Sequence, residues 1–417
     1  MKKLKIAQLV LPWIALPPKG YGGTERIVSW LTEGLVRRGH EVTLFASGDS
    51  QTSAKLSSIV PKALTLQTDV HSTISANLYP LCHVANCFQR AKEFDIIHSH
   101  AQYLALPFSA ICQTPTVHTF HRKFKGLEDE EFMVKFFKNE NFISISDNQR
   151  EFGLNFVATV YNGIPVEDFE FKGAVGDYLF WAGRAIDKKG PLEAIKVAKA
   201  TGIPLKMAGI ATESDFYYQK IKPQIDGQLI SWVGEQDHLG MVNLYQNALA
   251  TLFPVKWREP FGLIPIESMA CGTPVVVYAN GAVAEVVRDG ATGFVIDAEV
   301  ALGSIVKSAE VAHENSLVRG PLTSSLIANS ENFVGSPRSS GQKFVSSPRL
   351  SENWQVKKRG VEGLVEGVRR IKRLSNYQII KLRKNCRRYV EKNFSVEKMV
   401  EGYEKAYEKV LDSSYRI

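Results

Sequence analysis

Two successive series of short apolar segments, each alternating with helical patterns, constrain the fold of this chain more than any other feature. The segments are rich in Val, Ile and Leu and lack period-two alternation, which is typical of strands buried on both faces of a parallel sheet. The first series predicts strands at Lys5–Leu11, Glu41–Ala46, Asp95–Ser99, Pro115–Thr119, Asn141–Ser146 and Val157–Val160. The second series predicts strands at Tyr178–Ala182, Leu205–Ala208, Leu229–Val233, Ala250–Phe253, Pro274–Val277 and Gly293–Ile296.

Helical patterns lie between these strands and after the last of them. They predict helices at Thr24–Arg38, Leu192–Ala200, Leu239–Ala248, Leu263–Ala270 and Ser395–Leu411. Two βα series predict an α/β protein with two doubly wound parallel-sheet domains that face each other across a cleft. We expect these domains at residues 1–168 and 175–394. The closing helix carries an apolar stripe and must pack on one of them, but spacing alone does not say which.

The segment 298–358 departs from this alternation, since Ser, Asn, Pro and Arg dominate it. We expect a flexible insertion within the second domain, because the segment offers few residues for a core. It overlaps the most basic part of the chain: Arg319–Lys398 holds 18 Lys and Arg but only 6 Asp and Glu, within a chain of net charge +8. Two interpretations stay open, a set of solvated helix faces or a surface attracted to anionic lipid. No aromatic residues are interleaved with the charges as in single-strand-binding proteins, so nucleic acid is not an expected partner.

Cysteine usage and hydropathy bear on the compartment. The five cysteines are odd in number and form no Cys-x-x-Cys pair, which indicates reduced thiols and not a disulfide framework or a zinc site. The first residues, MKKLKIAQLVLPWIAL, have the basic start of a signal peptide, but Gln8 and Pro12 interrupt the apolar run, so we interpret it as a buried strand. No run of about 18 apolar residues predicts a transmembrane helix. The sequence therefore predicts a cytoplasmic protein.

Two junctions between a strand and a helix have the composition of an anion site. In LPPKGYGGTE, Gly22 and Gly23 allow a ligand to approach backbone N–H groups at a helix start, although a plain glycine turn explains the motif equally well. In GRAIDKKG, Arg184 ends a strand and Lys189 follows at a helix start. Two cations at that position suit a diphosphate, because without an anion they oppose the helix dipole.

A third motif, WREPFGLIPIESMACGTPVV, combines two carboxylates with a helix start. Pro260 and Pro265 confine the beginning of the helix, so that Glu259 precedes it and Glu267 lies about one turn inside. The N–H groups of Gly262 and Leu263 lie between them. This arrangement suits a ligand that has both hydroxyl and phosphate groups, and the apolar neighbours of Glu267 indicate a buried carboxylate that needs a partner.

Four histidines of the first half fall at the carboxyl ends of predicted strands, namely His98, His100, His118 and His121. A catalytic or a purely structural role is open for each of them. Metal binding has no support from a Cys or HExxH pattern, and no P-loop, nucleophile elbow or Asp-x-Asp motif occurs in the strands.

Taken together, GYGGTE, GRAIDKKG and especially EPFGLIPIESMACGTPVV resemble the family 4 (group 1) retaining glycosyltransferases of the GT-B fold. Two further segments resemble the family in the right order, NGI at Asn162–Ile164 and NGAVAEVVRDGATGF at Asn280–Phe294. The resemblance implies two Rossmann-like domains, with the acceptor on the first and the nucleotide-sugar donor on the second. It also implies that the final helix, within residues 395–417, crosses back to the first domain.

The resemblance implies roles for individual residues as well. Catalytic roles fall to His118, Glu259, Arg184 and Lys189. Donor binding falls to Gly22, Gly23, Arg184, Lys189, Glu259, Phe261, Gly262, Leu263 and Glu267. Within these sets, Glu259 resembles the contact to sugar hydroxyls and Glu267 the contact to the ribose, and Glu285 is expected to help position the nucleotide.

The expected reaction is a metal-independent, retaining transfer of a sugar from a nucleotide-diphosphate sugar to an acceptor hydroxyl, with no cofactor. A nucleotide-sugar epimerase or phosphorylase, and a non-catalytic nucleotide-sugar-binding protein, remain as alternatives. The donor, the acceptor, the linkage and the oligomeric state do not follow from the sequence.

Overall fold

In a computed structural model of the chain, the structure describes residues 2–20, 22–67, 73–124, 128–150, 153–211, 215–298 and 356–414. Nearly all of the segment 298–358, for which the sequence predicts an insertion, lies outside the described residues. The fold consists of two parallel sheets with helices packed on their faces.

The first sheet has seven parallel strands in the order β3-β2-β1-β4-β5-β6-β7. This order reverses between β1 and β4, which is the topological switch point of a Rossmann-like sheet. The strands are β1 (Lys5–Leu9), β2 (Glu41–Phe45), β3 (Lys55–Ser57), β4 (Ile96–Ser99), β5 (Thr116–Thr119), β6 (Asn141–Ser144) and β7 (Phe156–Thr159).

The second sheet has six parallel strands in the order β10-β9-β8-β11-β12-β13, so it repeats the same topology with its switch point between β8 and β11. The strands are β8 (Tyr178–Ala182), β9 (Leu205–Ala208), β10 (Ile230–Gly234), β11 (Ala248–Phe253), β12 (Val275–Tyr278) and β13 (Gly293–Ile296).

Helices follow most of the strands. In the first domain they are α1 (Gly23–Arg37), α2 (Thr73–Gln89), α3 (Leu106–Ser109) and α4 (Glu128–Phe136). In the second domain they are α5 (Pro191–Thr201), α6 (His238–Gln246), α7 (Leu263–Ala270), α8 (Val283–Val286), α9 (Gly360–Lys372) and α10 (Asn376–Asn393). The last helix is α11 (Val396–Ser414). In the part of the chain that the structure describes, no helix has both the length and the apolar character needed to cross a membrane.

The predicted fold class is confirmed, while several predicted bounds shift by one or two residues. The first strand ends at Leu9 and not at Leu11, because Val10 already belongs to the loop that leads to the glycine motif. Strand β3 was not predicted: it is a three-residue edge strand, and polar, partly exposed residues surround its single leucine. It is a strand because it pairs with β2, and its local composition does not indicate that pairing.

The closing helix α11 crosses back to the first domain. Its side chains Met399, Tyr403 and Tyr407 are buried in one cluster with Ile6 of β1 and Leu31 of α1. Helix α1 permits the close approach because Gly34 faces α11, where a Cβ atom would lie 2.5 Å from a methyl group of Val400. The apolar stripe of α11 therefore packs on the first domain and not on the second.

The chain passes between the domains at two adjacent points. Ile164 forms an isolated parallel bridge with Ser395, in which the Ile164 N–H donates to the Phe394 carbonyl (2.8 Å) and the Val396 N–H donates to the Ile164 carbonyl (3.0 Å). The two crossings are thus hydrogen-bonded to each other and form one connection between the two sheets.

The carboxyl ends of the two sheets face each other. Lys123, after β5, lies 5.3 Å from the ring centroid of Trp257, which follows β11. Gly23, at the start of α1, faces Leu263, at the start of α7, since a Cβ on Gly23 would lie 3.7 Å from a Leu263 methyl group. The loops at both switch points therefore line the cleft where ligands of such sheets bind.

Candidate functional site

The glycine loop after β1 meets the second domain at the start of α1. Gly22 is the N-cap of α1 with φ 147°, a conformation that L side chains rarely adopt. Arg26, one turn into α1, donates to the Gly20 carbonyl (2.8 Å) and reaches Glu267 of the second domain at 3.7 Å. One guanidinium thus fixes the loop and contacts the opposite wall of the cleft.

The N-terminus of helix α7 lies beside the glycine loop. Gly262 is its N-cap with φ 99°, and no side chain caps the first turn. Its first amide groups therefore present the positive end of the helix dipole beside the glycine loop. Phe261 behaves differently: its ring is buried against Tyr161 and Phe394, so its side chain belongs to the core and does not line the cleft.

Glu267 is 5% exposed and has the partners that a buried carboxylate requires. The Tyr245 hydroxyl donates to its Oε2 at 2.8 Å, and Arg26 lies near its Oε1. Burial, together with the Glu267 charge, raises the pKa of Tyr245 well above its ordinary value, so this hydroxyl remains a donor. Glu267 is therefore oriented from below by Tyr245 and from across the cleft by Arg26.

Lys189 and Glu259 form an ion pair in the second domain. The Lys189 Nζ lies 2.9 Å from Glu259 Oε2, and the indole N–H of Trp257 donates to the same oxygen at 2.8 Å. The ammonium group also lies 4.9 Å from the Trp257 ring centroid. Lys189 and Glu259, 70 positions apart in the sequence, are thus paired beside the indole ring of Trp257.

Arg184 follows β8 and is exposed. The turn after Arg184 brings Lys189 back beside the end of β8, where a Cβ on Gly183 would lie 3.7 Å from the Lys189 Cβ. The same turn is anchored by Lys256, whose Nζ contacts Asp187 at 2.6 Å and Glu193 at 3.1 Å. The structure therefore brings Arg184, Lys189 and Glu259 to one end of the second sheet.

His118 does not lie at the cleft. It is fully buried within β5, with its Nε2 at 3.0 Å from the Ser109 hydroxyl and 3.7 Å from Glu140, and its ring packs near Phe142. Burial lowers its pKa. A side chain that is enclosed between a strand and α3 contacts no part of the cleft, so this placement argues against the predicted role at the reacting sugar.

His121 follows the carboxyl end of β5, is half-buried, and lies two residues before Lys123, which contacts Trp257 across the cleft. We therefore take His121 as the histidine of this segment that borders the cleft. Its Nε2 lies 2.9 Å from His100 Nδ1. His98 lies deeper, with its ring centroid 4.0 Å from that of His100. His98, His100 and His121 therefore form one cluster, of which only His121 is partly exposed.

Glu285 has a different environment from the one expected. Its two oxygens accept hydrogen bonds from the Asp147 N–H (2.9 Å), the Asn148 N–H (2.6 Å) and the Tyr161 hydroxyl (2.8 Å), all of the first domain. Arg258 adds two hydrogen bonds of 2.6 Å to the side chain and carbonyl oxygens of Asn148. Glu285 thus joins the domains and has its carboxylate oxygens engaged there, which argues against direct contact with a nucleotide.

Sequence reasoning missed three residues of the site: Arg26, Tyr245 and Trp257. Arg26 and Trp257 were visible beside the motifs, in GYGGTER and WREP, and their polar N–H groups next to a cleft motif were a usable signal. Tyr245 was not detectable, since it comes from α6 and reaches Glu267 only through tertiary packing. Among the described residues, no group of three or more His, Cys, Asp or Glu side chains is placed to hold a metal ion.

Two family models match consecutive parts of the chain. Residues 21–168 match the model described as Glycosyltransferase Family 4, and residues 171–329 match the model described as Glycosyl transferases group 1. These ranges contain the glycine loop and the histidine cluster in the first case, and the Lys189–Glu259 pair and Glu267 in the second.

Relatives and solved structures agree with these matches. A glycogen synthase of Mycobacterium tuberculosis is 26% identical over 341 residues, which cover 68% of this chain and 81% of the relative. Sucrose-phosphate synthase from Thermosynechococcus elongatus has a TM-score of 0.70 at 17% identity, covering 99% of this chain and 100% of the other. HepE from Anabaena, solved with UDP-glucose, has a TM-score of 0.62 at 14% identity, covering 99% and 100%. At such identities the structural likeness shows the fold alone.

Proposed function

Because the chain belongs to the family 4, group 1 glycosyltransferases, we propose that it transfers a sugar from a nucleotide-diphosphate sugar to an acceptor hydroxyl, with retention and without a metal. The observation that carries this proposal is the Lys189–Glu259 ion pair, which lies beside the exposed Arg184 at the end of the second sheet. The pair combines a cation for phosphate with a carboxylate for hydroxyl groups.

The diphosphate is the leaving group, and its charge grows as the anomeric C–O bond breaks. Arg184 offers a planar fork to two phosphate oxygens, and Lys189 offers a point charge beside it. The first N–H groups of α7 add the positive end of a helix dipole. Such preorganised donors stabilise the developing negative charge. In comparable sites, the removal of one donor raises the activation barrier by about 3–4 kcal/mol.

Two carboxylates position the rest of the donor. Glu259 accepts hydrogen bonds from sugar hydroxyls while Trp257 holds its Oε2 in place. Glu267 accepts hydrogen bonds from the ribose hydroxyls, since Tyr245 fixes its orientation. Arg26 closes this part of the cleft from the first domain. The binding energy of the nucleotide thereby orients the reacting carbon.

The transfer step uses no protein nucleophile in this proposal. The bond from the anomeric carbon to the phosphate oxygen breaks, and a bond from the same carbon to the acceptor oxygen forms on the same face. The departing phosphate takes the acceptor proton, and the nucleoside diphosphate leaves. We assign the sugar-facing histidine to His121 and not to His118, because only His121 borders the cleft.

The first test is nucleotide release from UDP-, GDP- and ADP-sugars, with and without EDTA, for the wild type and Glu259→Gln. UDP-glucose comes first because HepE was solved with it. We expect EDTA-insensitive turnover of one donor that falls at least tenfold in Glu259→Gln. Glu362→Gln on α9 serves as the matched control, since that side chain is 77% exposed.

The acceptor panel distinguishes the alternatives. Nucleotide release only in the presence of an acceptor supports transfer, whereas release with phosphate alone indicates a phosphorylase and isomerisation of the donor indicates an epimerase. If no nucleotide is turned over and none raises the melting temperature, both the transferase and the binding-protein hypotheses are wrong.

Contact with an anionic membrane is a second part of the proposal, and it rests on α10. Lys381, Lys384 and Arg388 are exposed along one side of this helix, and Tyr377 beside them is 75% exposed. Basic groups with an exposed aromatic ring suit an anionic lipid surface. Flotation with vesicles of phosphatidylglycerol, compared with phosphatidylcholine, tests this: equal recovery from both would contradict it. The five free cysteines favour a cytoplasmic location.

A further inference from the structure

A continuous chain of hydrogen bonds connects the cleft with the C-terminal helix through Gln8. Starting at the cleft, His121 Nε2 lies 2.9 Å from His100 Nδ1, and His100 Nε2 lies 2.9 Å from Gln8 Oε1. The Gln8 amide nitrogen donates to the Tyr407 hydroxyl at 3.2 Å. Gln8 is the fourth of the five residues of β1, the strand at the switch point of the first sheet, and it is fully buried.

The chain continues beyond Tyr407. The Tyr407 hydroxyl lies 2.7 Å from His98 Nδ1, and His98 Nε2 lies 2.8 Å from the Thr119 hydroxyl. Burial lowers the pKa of His98 and His100 well below the ordinary value and that of His121 to about 4. All three imidazoles are therefore neutral near pH 7, so each has one N–H and one lone pair.

Neutral imidazoles joined in this way have only two self-consistent proton arrangements. If His100 carries its proton on Nε2, its Nδ1 accepts, so His121 carries its proton on Nε2 as well. If His100 carries its proton on Nδ1, both protons shift to the opposite ring nitrogens. The two arrangements differ at the cleft, because His121 presents a lone pair at Nδ1 in the first and an N–H in the second.

Gln8 selects between them, since a carboxamide oxygen only accepts and a carboxamide nitrogen only donates. Its Oε1 faces His100 Nε2, which must therefore carry the proton. Its Nε2 faces the Tyr407 hydroxyl, which then donates its own proton to His98 Nδ1. We propose that Gln8 is a positioning residue that fixes this proton arrangement, so that His121 presents an unprotonated Nδ1 to the cleft.

In the reaction, His121 then accepts a hydrogen bond from a hydroxyl group of the bound sugar and cannot donate one. This consequence rests on the proposed function, whereas the proton arrangement itself does not. A hydroxyl group bound at this point must donate, so a deoxy or fluoro analogue at that carbon would lose the contact.

The experiment measures the two ring nitrogens of each histidine by 15N NMR on the full chain labelled with 15N-histidine at pH 7. Protonated and unprotonated ring nitrogens have well separated shifts, and His121→Asn identifies the His121 signals by their loss. We expect His121 to carry its proton on Nε2. A proton on Nδ1, or averaged signals from both arrangements, would overturn the proposal.

Two variants test the selection by Gln8. In Gln8→Glu a carboxylate is buried beside His100 Nε2, and we expect its charge to draw a second proton onto His100. His100 then donates from Nδ1 as well, which forces the His121 proton onto Nδ1. In Tyr407→Phe a buried hydroxyl is lost, but the Gln8 amide still faces His98 Nδ1 at 3.4 Å, so His121 keeps its arrangement. A doubly protonated His100 in folded Gln8→Glu with the His121 proton still on Nε2 would contradict the proposal.

Activity separates this inference from the proposed function. We expect kcat to fall by about tenfold in Gln8→Glu with the KM for the nucleotide sugar within a few-fold, because the sugar hydroxyl can then only accept from His121 and loses the orientation that it had as a donor. Tyr407→Phe should keep kcat within a few-fold of wild type. The expected NMR result without any sugar transfer would contradict only the proposed function, and active enzyme with the opposite His121 proton would contradict only this inference.

Discussion

Six of the seven strands of the first sheet follow the order of the six strands of the second, but the central strands of the two sheets differ in polarity. In the first sheet, buried polar side chains occupy the middle of the central strands, with Gln8 on β1, His98 on β4 and His118 on β5. In the second, the corresponding strands β8, β11 and β12 read YLFWA, ALATLF and VVVY. Their polar groups are the Thr251 hydroxyl, the tyrosine hydroxyls and the Trp181 indole N–H. One topology therefore accommodates both a polar and an apolar interior.

The difference corresponds to where each domain performs its chemistry. The second domain places its charged groups outside the sheet, on the loops after β8 and β11 and at the start of α7. The first domain extends a polar network from inside its sheet to His121 at the edge. A domain with a polar interior thus faces a domain with an apolar interior and charged loops across one cleft. The following predictions test whether a change in one domain leaves the stability of the other unaffected.

The largest effect is expected in the apolar interior of the second domain. Phe180→Ala removes a fully buried ring that packs edge-on against Tyr245 at 5.2 Å. We expect a loss of about 3–5 kcal/mol in the free energy of unfolding, because a cavity replaces the ring. Hydrogen exchange resolved by peptide should locate the loss in the second domain, equally at pH 5 and pH 7. Loss of protection mainly in the first domain would show that the interiors are not separable.

The next effect concerns the loops of the second domain. Lys189→Ala should lower turnover at least hundredfold, or about 3 kcal/mol in the activation barrier, since the diphosphate loses a cation. Lys188→Ala is the matched control, because Lys188 is exposed in the same motif. Steady-state rates with saturating donor measure both variants. Equal rates for the two variants would mean that Lys189 does not contact the diphosphate.

The polar interior of the first domain should make stability depend on pH. Burial lowers the pKa of His121 to about 4, so below the unfolded value of 6.5 the unfolded chain binds more protons than the folded one. Stability is therefore retained above pH 6.5 and falls as the pH decreases towards 4. His121 alone should cost about 2 kcal/mol at pH 5 relative to pH 7. Exchange rates of first-domain peptides, corrected for intrinsic rates, measure this loss, and a flat profile would contradict it.

The smallest effect is expected at the rim of the first domain. The Arg38 side chain is 47% exposed and contacts Glu404 of α11 at 2.7 Å, while His40 contacts the other oxygen of the same carboxylate. Arg38→Ala should cost about 1 kcal/mol, because the buried Glu404 loses a partner that contacts both of its oxygens but keeps His40. Thermal melts at low and high salt measure the change. A loss above 2 kcal/mol would show that α11 depends on this rim contact more than on its buried stripe.

Periodicity was sufficient for the fold because buried parallel strands have a strong composition. Strands such as Tyr178–Ala182 and Leu205–Ala208 were predicted with their observed bounds. The short edge strand Lys55–Ser57 has no such signal, since pairing and not composition makes it a strand. The resemblance, and not the periodicity, placed the closing helix on the first domain.

The site was predictable where a motif is local and not where partners come from distant elements. Glu259 and Lys189 were both singled out, but their pairing across 70 positions was not. The choice of His118 over His121 overlooked the phase of β5. Because the strand ends at Thr119, His118 lies within it and is covered by α3, whereas His121 lies beyond its end. The engagement of Glu285 by first-domain N–H groups depends on how the domains meet, which no local pattern describes.

The crossing of α11 has a consequence for the order in which the protein is built on the ribosome. Tyr403 and Tyr407 complete the polar interior of the first domain, yet they follow the whole second domain in the chain. Nascent proteins generally fold from the N-terminal domain onwards. Here the first sheet must wait, with its central histidines and Gln8 uncovered on the α11 side, until the last helix has been translated. The second domain is synthesised later, but strands β8 to β13 and helices α5 to α10 all precede α11 in the chain. It is therefore able to complete its folding before the first domain does.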